Sequence, residues 1–502
     1  MGASRARNTG KPLTSVWSSA IASLSPEGFS APGVGKGVDR PGKFHEFPPP
    51  TAQVKSYAAR ERCLILRTLS SLNKQIQTIC RSAGLYHHLS KKNTMNVNFQ
   101  RAVDRWVGVP VCGLLSLVER LRGSRPPSTA PKRILVILLS EMGSLVLAQP
   151  MFARIKELYP EASLHFLLFA KNRQVLDLLE IVPAENIITI SDKSAGALAG
   201  DCLKVLRFFW NNPFDIVFDC ELFARVSSIF AYLSGAKVRV GFHSHTQEGL
   251  YRGSFINRRV LYNPYRHLTE QFLTMLAAIE SPTTPIAKGE GKIPYHLPPP
   301  ANFTPEELST IREQLYRDFP ALSGKSLVLI NPSGGILPIR AWPLASYFQL
   351  SDELLRQGRA VAVIGLPQDK PFGEAVSGHC RSEYCVDLTG YTKSIRHLMG
   401  IFACADLLIS NDGGPGHFAA LTSLPSIIFF GPETPLLYSP LGPNVFCFYA
   451  HWSCSPCLTA YNHRNSPCDG DNQCLKNITP AEVLAKAGEL LTKGAPEKAD
   501  RP

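Results

Sequence analysis

Residues 406–435 read DLLISNDGGPGHFAALTSLPSIIFFGPETP. Two apolar, strand-like runs, DLLIS (406–410) and PSIIFFG (425–431), flank a turn of Asp412, Gly413, Gly414, Pro415 and Gly416. A short helix pattern follows that turn. Continuously apolar runs suit strands buried on both faces, as in a parallel sheet. Ligands of open α/β sheets bind beyond the carboxyl ends of the strands. Glycines let backbone N–H groups come close to a ligand, and a helix start adds unpaired donors and partial positive charge. The stretch therefore predicts a phosphate site. A plain strand-to-helix turn with Asp412 near the N-cap is the simpler alternative. Such a turn needs one glycine, and this one has three, with His417 one turn into the helix.

The same alternation extends outward. SLVLINP (326–332) and AVAVIGLP (360–367) read as strands, and SIRHLMGIFACA (394–405) reads as a helix. An earlier series holds strands RILVILL (133–139), SLHFLLFA (163–170) and FDIVFDCE (214–221). Helical spacing lies between and after them, in LAQPMFARIKELYP (147–160) and LFARVSSIFAYLSG (222–235). The alternation fades near Tyr262. One amphipathic helix (267–279) and the Pro-rich IPYHLPPP (293–300) come next. Right-handed βαβ units give doubly wound sheets. The expectation is an α/β protein with two Rossmann-like domains, 132–300 and 301–491, facing a central cleft, and a tail over 492–502.

Composition narrows the classes. No apolar run in the 502 residues reaches the roughly 20 needed to span a bilayer. The longest candidate, Trp106 to Val118, contains Gly and Pro and suits lying on a membrane better than crossing one. The net charge of +13 is uneven. Residues 1–94 hold 14 Lys+Arg against 4 Asp+Glu, so the basicity belongs to one segment and not to the folded body. No aromatic-basic stripe or finger spacing supports nucleic-acid binding. Segment 1–94 is rich in Ser, Pro, Gly and basic residues and reads as disordered. Helical patterning begins at Met95, which suggests that 1–94 is a gene-calling extension. A genuine disordered tail is the alternative. Residues 95–131 read as a helix, packed on the body or lying in a membrane interface, and a linker.

Two further loops lie just past strands. NPSGGILPIRAWP (331–343) carries Ser333, Gly334 and Gly335, and Arg340, whose guanidinium can bind a diphosphate bidentately. SEMGSLVLAQP (140–150) carries Glu141, Gly143 and Ser144 at the start of a helix. Cys454, Cys457, Cys468 and Cys474 have the spacing C-x2-C-x10-C-x5-C. They suggest a structural zinc site or a redox-sensitive knot, too distant in sequence from the glycine turns for a catalytic role.

Taken together, DGGPGHFAALTSLPSIIFFGPETP, NPSGGILPIRAWP, GLPQDK and LLSEMGSLVLAQP resemble, in this order, glycosyltransferase family 9, the bacterial ADP-heptose:lipopolysaccharide heptosyltransferases of GT-B fold. The resemblance covers roughly residues 132–491 and includes the cysteine cluster. It implies that Asp412, Gly413, Gly414 and His417 hold the donor diphosphate. Gly413 stands where the family usually has Ser or Thr. It further implies that Arg340 neutralises the donor phosphates, that Ser333 contacts phosphate and that Asp369 contacts the nucleoside. Ser144 stands where the family has the Asp proposed as catalytic base. Glu141 on the same loop is the nearest substitute. His243 and His245 are more distant candidates, and a silent nucleotide-sugar binder is the rival reading. The resemblance implies an inverting, metal-independent, cytoplasmic transferase that needs no cofactor. It would move a heptose from ADP-heptose to a lipid-linked inner-core acceptor, with peripheral contact at the inner membrane and no nucleic-acid partner. A dinucleotide dehydrogenase is disfavoured, because no G-x-G-x-x-G lies after the first strand of either domain.

Overall fold

The computed structural model describes residues 101–123, 130–139, 141–222, 224–243, 251–281, 294–460 and 464–493. The expectations for residues 1–94, for Met95, for His245 and for the 494–502 part of the tail lie outside them.

The first domain is a six-stranded parallel sheet. Its strands are β1 (Arg133–Ile137), β2 (Ser163–Phe169), β3 (Ile187–Ile190), β4 (Ile216–Asp219), β5 (Val238–Phe242) and β6 (Arg258–Val260), in the order β3-β2-β1-β4-β5-β6. The second is β7 (Leu327–Asn331), β8 (Ala360–Gly365), β9 (Cys385–Thr389), β10 (Leu407–Asn411), β11 (Ser426–Phe430) and β12 (Val445–Tyr449), in the order β12-β11-β10-β7-β8-β9. All pairings are parallel. Central strands β7, β10 and β11 are buried at every position, which explains their uninterrupted apolar runs. In each sheet the chain winds outward through three strands and then crosses back beside its first. The switch points therefore fall between β1 and β4 and between β7 and β10, where doubly wound sheets bind ligands.

Helices cover both faces. The first domain has α1 (Val109–Arg122, preceded by a π turn at Asp104–Gly108), α2 (Met142–Leu158), α3 (Arg173–Leu179), α4 (Ala195–Asn211), α5 (Arg225–Leu233) and α6 (Leu268–Glu280). The second has α7 (Pro305–Asp318), α8 (Leu344–Arg356), α9 (Lys370–Cys380), α10 (Ile395–Cys404), α11 (Gly414–Ala419), α12 (Pro435–Tyr438), α13 (Gln473–Lys476) and α14 (Pro480–Lys493). Helix α2 is buried without interruption from Ser144 to Phe152. It packs on α6 and, across the domain boundary, on α11. One apolar cluster thus runs from Ile134 and Phe166 through Leu145 and Leu147 to Phe418, Leu408 and Ile428. Polar links cross the same boundary. His267 Nε2 lies 3.0 Å from the Ser439 carbonyl, and the Ile395 N–H donates to Gln174 Oε1 at 3.1 Å.

Candidate active site

The loops after β7 and β10 are bound to each other by one buried amide. Asn411 Oδ1 accepts the Trp342 N–H at 2.8 Å, and its Nδ2 donates to the carbonyls of Asn331 and Ser333 at 3.3 and 3.2 Å. This places Arg340 Nη1 3.4 Å from Asp412 Oδ2. Ser333 Oγ donates to Asp369 Oδ1 at 2.7 Å, and the other Asp369 oxygen accepts the Leu366 N–H at 2.8 Å. Four of the residues expected to hold a donor thus meet in two contacts, Arg340–Asp412 and Ser333–Asp369, and His417 lies one turn along α11.

Asp412 lies next to the helix N-cap, which is Gly413 with no side-chain bond to the helix, and the Asp412 carboxylate faces Arg340. Helix α11 has six residues, too short for a large macrodipole, so an anion there would be held by the N–H groups of its first turn and by Arg340. The glycines also differ in need. A Cβ at Gly416 would come within 2.8 Å of Ile428 Cδ1, whereas one at Gly413 would meet nothing closer than 3.9 Å.

The first domain reaches this site through the start of α2. Gly143 lies so close to the His417 ring that a Cβ would sit 2.6 Å from Cδ2. Beside it, Ser144 Oγ donates to Glu141 Oε2 at 2.8 Å. The Glu141 carboxylate is bound by Arg464, whose Nη1 contacts Oε1 and whose Nη2 lies 3.4 Å from Oε2. Arg464 also places Nε 3.5 Å from Glu433 Oε1, and its guanidinium carbon is 5.6 Å from the centre of the Tyr438 ring. Glu141 and Ser144 border a small pocket of about 20 Å³ that Cys220, Glu221, Leu222 and Phe272 also line. Glu221 is tied down by accepting the Leu139 N–H at 2.6 Å. His243 is buried, its Nε2 3.1 Å from the Gly253 carbonyl.

Burial and charge act against each other here. Burial raises the Glu141 carboxyl, but Arg464 and the Ser144 hydroxyl outweigh it and hold the acid below its usual range, hence ionised. Burial lifts Asp412 above its usual range despite Arg340 and Arg464. Burial lifts Glu433 to about 7, with Arg464 opposing. Burial, aided by His267, lowers His417 to about 4, so its ring is neutral at pH 7. Burial disfavours the Arg464 charge, yet Glu141 and Glu433 more than restore it. Arg340 Nε and His417 Nδ1 are buried without a hydrogen-bond partner. Buried polar atoms are normally paired, so this constellation suits a polar, multiply charged ligand.

The family model for glycosyltransferase family 9 (heptosyltransferase) matches residues 203–466, just over half of the chain. The chain belongs to glycosyltransferase family 9. Lipopolysaccharide heptosyltransferase 2 of Salmonella typhimurium is 24% identical over 376 residues, covering 72% of this chain and 99% of that relative. Lipopolysaccharide heptosyltransferase 3 of E. coli is 23% identical, covering 72% and 98%. Among solved structures, the ADP-heptose heptosyltransferase II of E. coli superposes with a TM-score of 0.57 at 20% identity, over 72% of this chain and 99% of that one. The family 9 protein of Veillonella parvula gives 0.55 at 19%, over 72% and 97%. The two facing Rossmann-like sheets are the GT-B fold expected from the resemblance.

On the loop after β1 the carboxylate is that of Glu141, with Ser144 as hydrogen-bond donor to it. Sequence reasoning misses Glu433 and Arg464. Glu433 lies just past β11 as Asp412 lies just past β10, so the strand-end rule that singles out Asp412 also points to it. Arg464 has no such signal. It sits between Cys457 and Cys468, in a segment that looks too far along the chain to take part. That inference fails because the segment folds back over the site: Asn472 Nδ2 donates to the Ile339 carbonyl at 2.6 Å, and the Trp342 indole donates to the Ile478 carbonyl at 2.9 Å. The four cysteines are neighbours in space, since Cys457, Cys454 and Cys468 add to burial in pushing Cys474 to about 11. Among the described residues, however, no group of three or more His, Cys, Asp or Glu is arranged to hold a metal ion.

Proposed function

We propose that this chain is an inverting glycosyltransferase moving heptose from ADP-heptose to a lipid-linked saccharide acceptor of the lipopolysaccharide inner core, at the inner face of the cytoplasmic membrane. The observation that carries the reading is the meeting of Glu141, from the first domain, with the Asp412–Arg340–His417 group of the second. The names of the relatives support the sugar and the acceptor: heptosyltransferases 2 and 3 are described as acting on lipopolysaccharide, and one structural neighbour is described with ADP.

In this reading Arg340 and the amides of Gly413 and Gly414 bind the diphosphate, and Ser333 and Asp369 bind toward phosphate and nucleoside. The acceptor presents its hydroxyl to Glu141 at the mouth of the small pocket beside it. Glu141 takes the proton of the acceptor hydroxyl as that oxygen attacks the anomeric carbon from the face opposite the diphosphate. Negative charge grows on the leaving ADP, where Arg340 and the loop amides stabilise it by on the order of a few kcal/mol per well-placed donor. For Glu141 to act, Arg464 must release it, and an incoming diphosphate offers that guanidinium a stronger partner. The scheme routes no step through a metal, and undiminished activity after chelation would support it.

Thermal shift with ADP, UDP, GDP and NAD, using Asp412→Ala as control, tests the donor site. Stabilisation by ADP alone, lost in the control, is expected. Preference for UDP or GDP would keep the glycosyltransferase and overturn the heptosyl donor. No shift with any nucleotide would overturn the donor-site assignment.

A further inference from the structure

The segment over residues 101–122 has two unlike faces. The inner face is built into the protein. Cys112 and Leu115 are buried among Phe230, Ala231, Phe255 and Ile256. Both acids of the segment face inward and are used. Asp104 accepts the N–H groups of Arg225 and Val226 at 2.7 and 3.0 Å, capping α5, and pairs with the Arg225 guanidinium at 3.1 Å. Glu119 pairs with Arg239. A Cβ at Gly108 would lie 2.9 Å from Arg225 Cβ, so the helix is pressed closely onto α5.

The outer face is apolar and basic. Trp106 is 76% exposed, Leu121 79%, Leu117 54%, Leu114 46% and Val103 39%. Arg105 and Arg120 are exposed beside them, and no acid shares this face. Val226 and Tyr251, which touch the segment through Asp104 and Ser116, are each 37% exposed. Large apolar side chains left in water, flanked by arginines and cleared of acids, match the headgroup boundary of an anionic bilayer. No helix among the described residues is long and apolar enough to cross a membrane.

The helix is also wired to the small pocket beside Glu141. Asp104 holds the start of α5. Just before it, Glu221 and Ala224 are held by Arg252, whose Nε donates to the Ala224 carbonyl at 3.1 Å and whose Nη1 donates to the Glu221 carbonyl. Arg252 in turn pairs with Asp219 at the end of β4. Glu221 and Leu222 line the pocket beside Glu141.

We propose that the outer face of residues 103–121 is a docking surface for an anionic lipid bilayer, and that it holds the pocket beside Glu141 at the bilayer surface. Bilayer binding stands on the geometry alone. Delivery of a lipid-linked acceptor rests on the function proposed above.

The test uses the full chain with vesicles of phosphatidylcholine, with and without phosphatidylglycerol. Flotation is expected with phosphatidylglycerol present. It should fall at least about tenfold in a Trp106→Ser, Leu117→Ser, Leu121→Ser variant, and lose its dependence on anionic lipid in an Arg105→Ser, Arg120→Ser variant. The apolar variant should keep the parent's ADP-induced thermal shift, which shows that it is folded. It should also keep transfer to a deacylated, water-soluble acceptor while losing transfer to the vesicle-embedded one. Failure of the parent to float, or flotation unchanged in the apolar variant, would overturn the proposal. So would a parent dimer in light scattering that the apolar variant breaks, since the face would then meet a second copy. Transfer failing on both acceptors while flotation behaves as expected would count against the transferase assignment and leave the docking surface supported.

Discussion

Arg464 and Glu141 are 323 residues apart and stand in different domains, yet the guanidinium of one holds the carboxylate of the other. Arg464 simultaneously approaches Glu433. One cation therefore joins the loop after β1 to the second domain, where the proposed acceptor and donor sites meet. It also keeps the candidate base ionised until the site is loaded.

Glu141→Gln should lower kcat by about 10²–10⁴-fold, the usual contribution of a general base, while the ADP-induced thermal shift persists. If the variant kept parental kcat, the base would have to be sought elsewhere.

Arg464→Met should destabilise the fold by about 2–3 kcal/mol. That lies below the range for removing one partner of a fully buried pair, because the Glu141 side chain is 36% exposed and its charge is partly screened. Chemical denaturation reads the difference. Arg464→Lys should recover only part of it, since an ammonium cannot reproduce the forked contact.

Gly413→Ser offers a gain of function. The backbone there is extended, with φ 169°, and a Cβ has room. The added hydroxyl can reach a donor phosphate and should tighten ADP binding by up to about tenfold, the value of one hydrogen bond, in calorimetric titration. Weaker binding would place the diphosphate elsewhere.

Gly143→Ala should act through the domain contact. The new methyl would press on His417, and overpacking of this kind costs typically about 1–3 kcal/mol. The expected result is a larger radius of gyration in X-ray scattering together with reduced kcat. An unchanged radius with parental kcat would mean that the loop gives way without parting the domains.

Glu433 predicts a pH dependence. Its folded pKa of about 7 lies above the ordinary 4.5, so between these values the folded state binds more protons than the unfolded one. Stability from this group is therefore fully present below pH 4.5, falls as pH rises and is lost by about pH 7. In Glu433→Gln this loss disappears. The melting temperature of the variant minus that of the parent should increase from pH 5 to pH 8, and a flat or falling difference would contradict the placement of Glu433.

The legible parts are those with a local cause. β1, β7, β10 and β11 are buried on both faces and so carry unbroken apolar runs, and Asp412, Arg340, Ser333 and Asp369 lie past strand ends where ligands bind. The edge strands are harder to read. β12 is half-buried throughout, and β3 is half-buried at its two central positions, so neither has a clean period. Asn411 directly follows the run DLLIS and carries no signal of its own in the sequence, and only its cross-loop bonds reveal that it joins the loops after β7 and β10. Arg464 is hidden because its position depends on how the segment after β12 packs over Ile339 and Trp342, which no local pattern encodes. For residues 101–122 the pattern allows a packed helix or a membrane-facing one, and the burial shows an inner face that packs and an outer face left open.

The most direct test incubates the purified chain with ADP-heptose and a lipid-linked inner-core acceptor and tracks acceptor mass. The account predicts the addition of one heptose, dependent on Glu141 and Asp412, with far less turnover from UDP- or GDP-sugars. Tight ADP binding without any transfer would contradict it and leave a nucleotide-sugar binder built on a transferase fold.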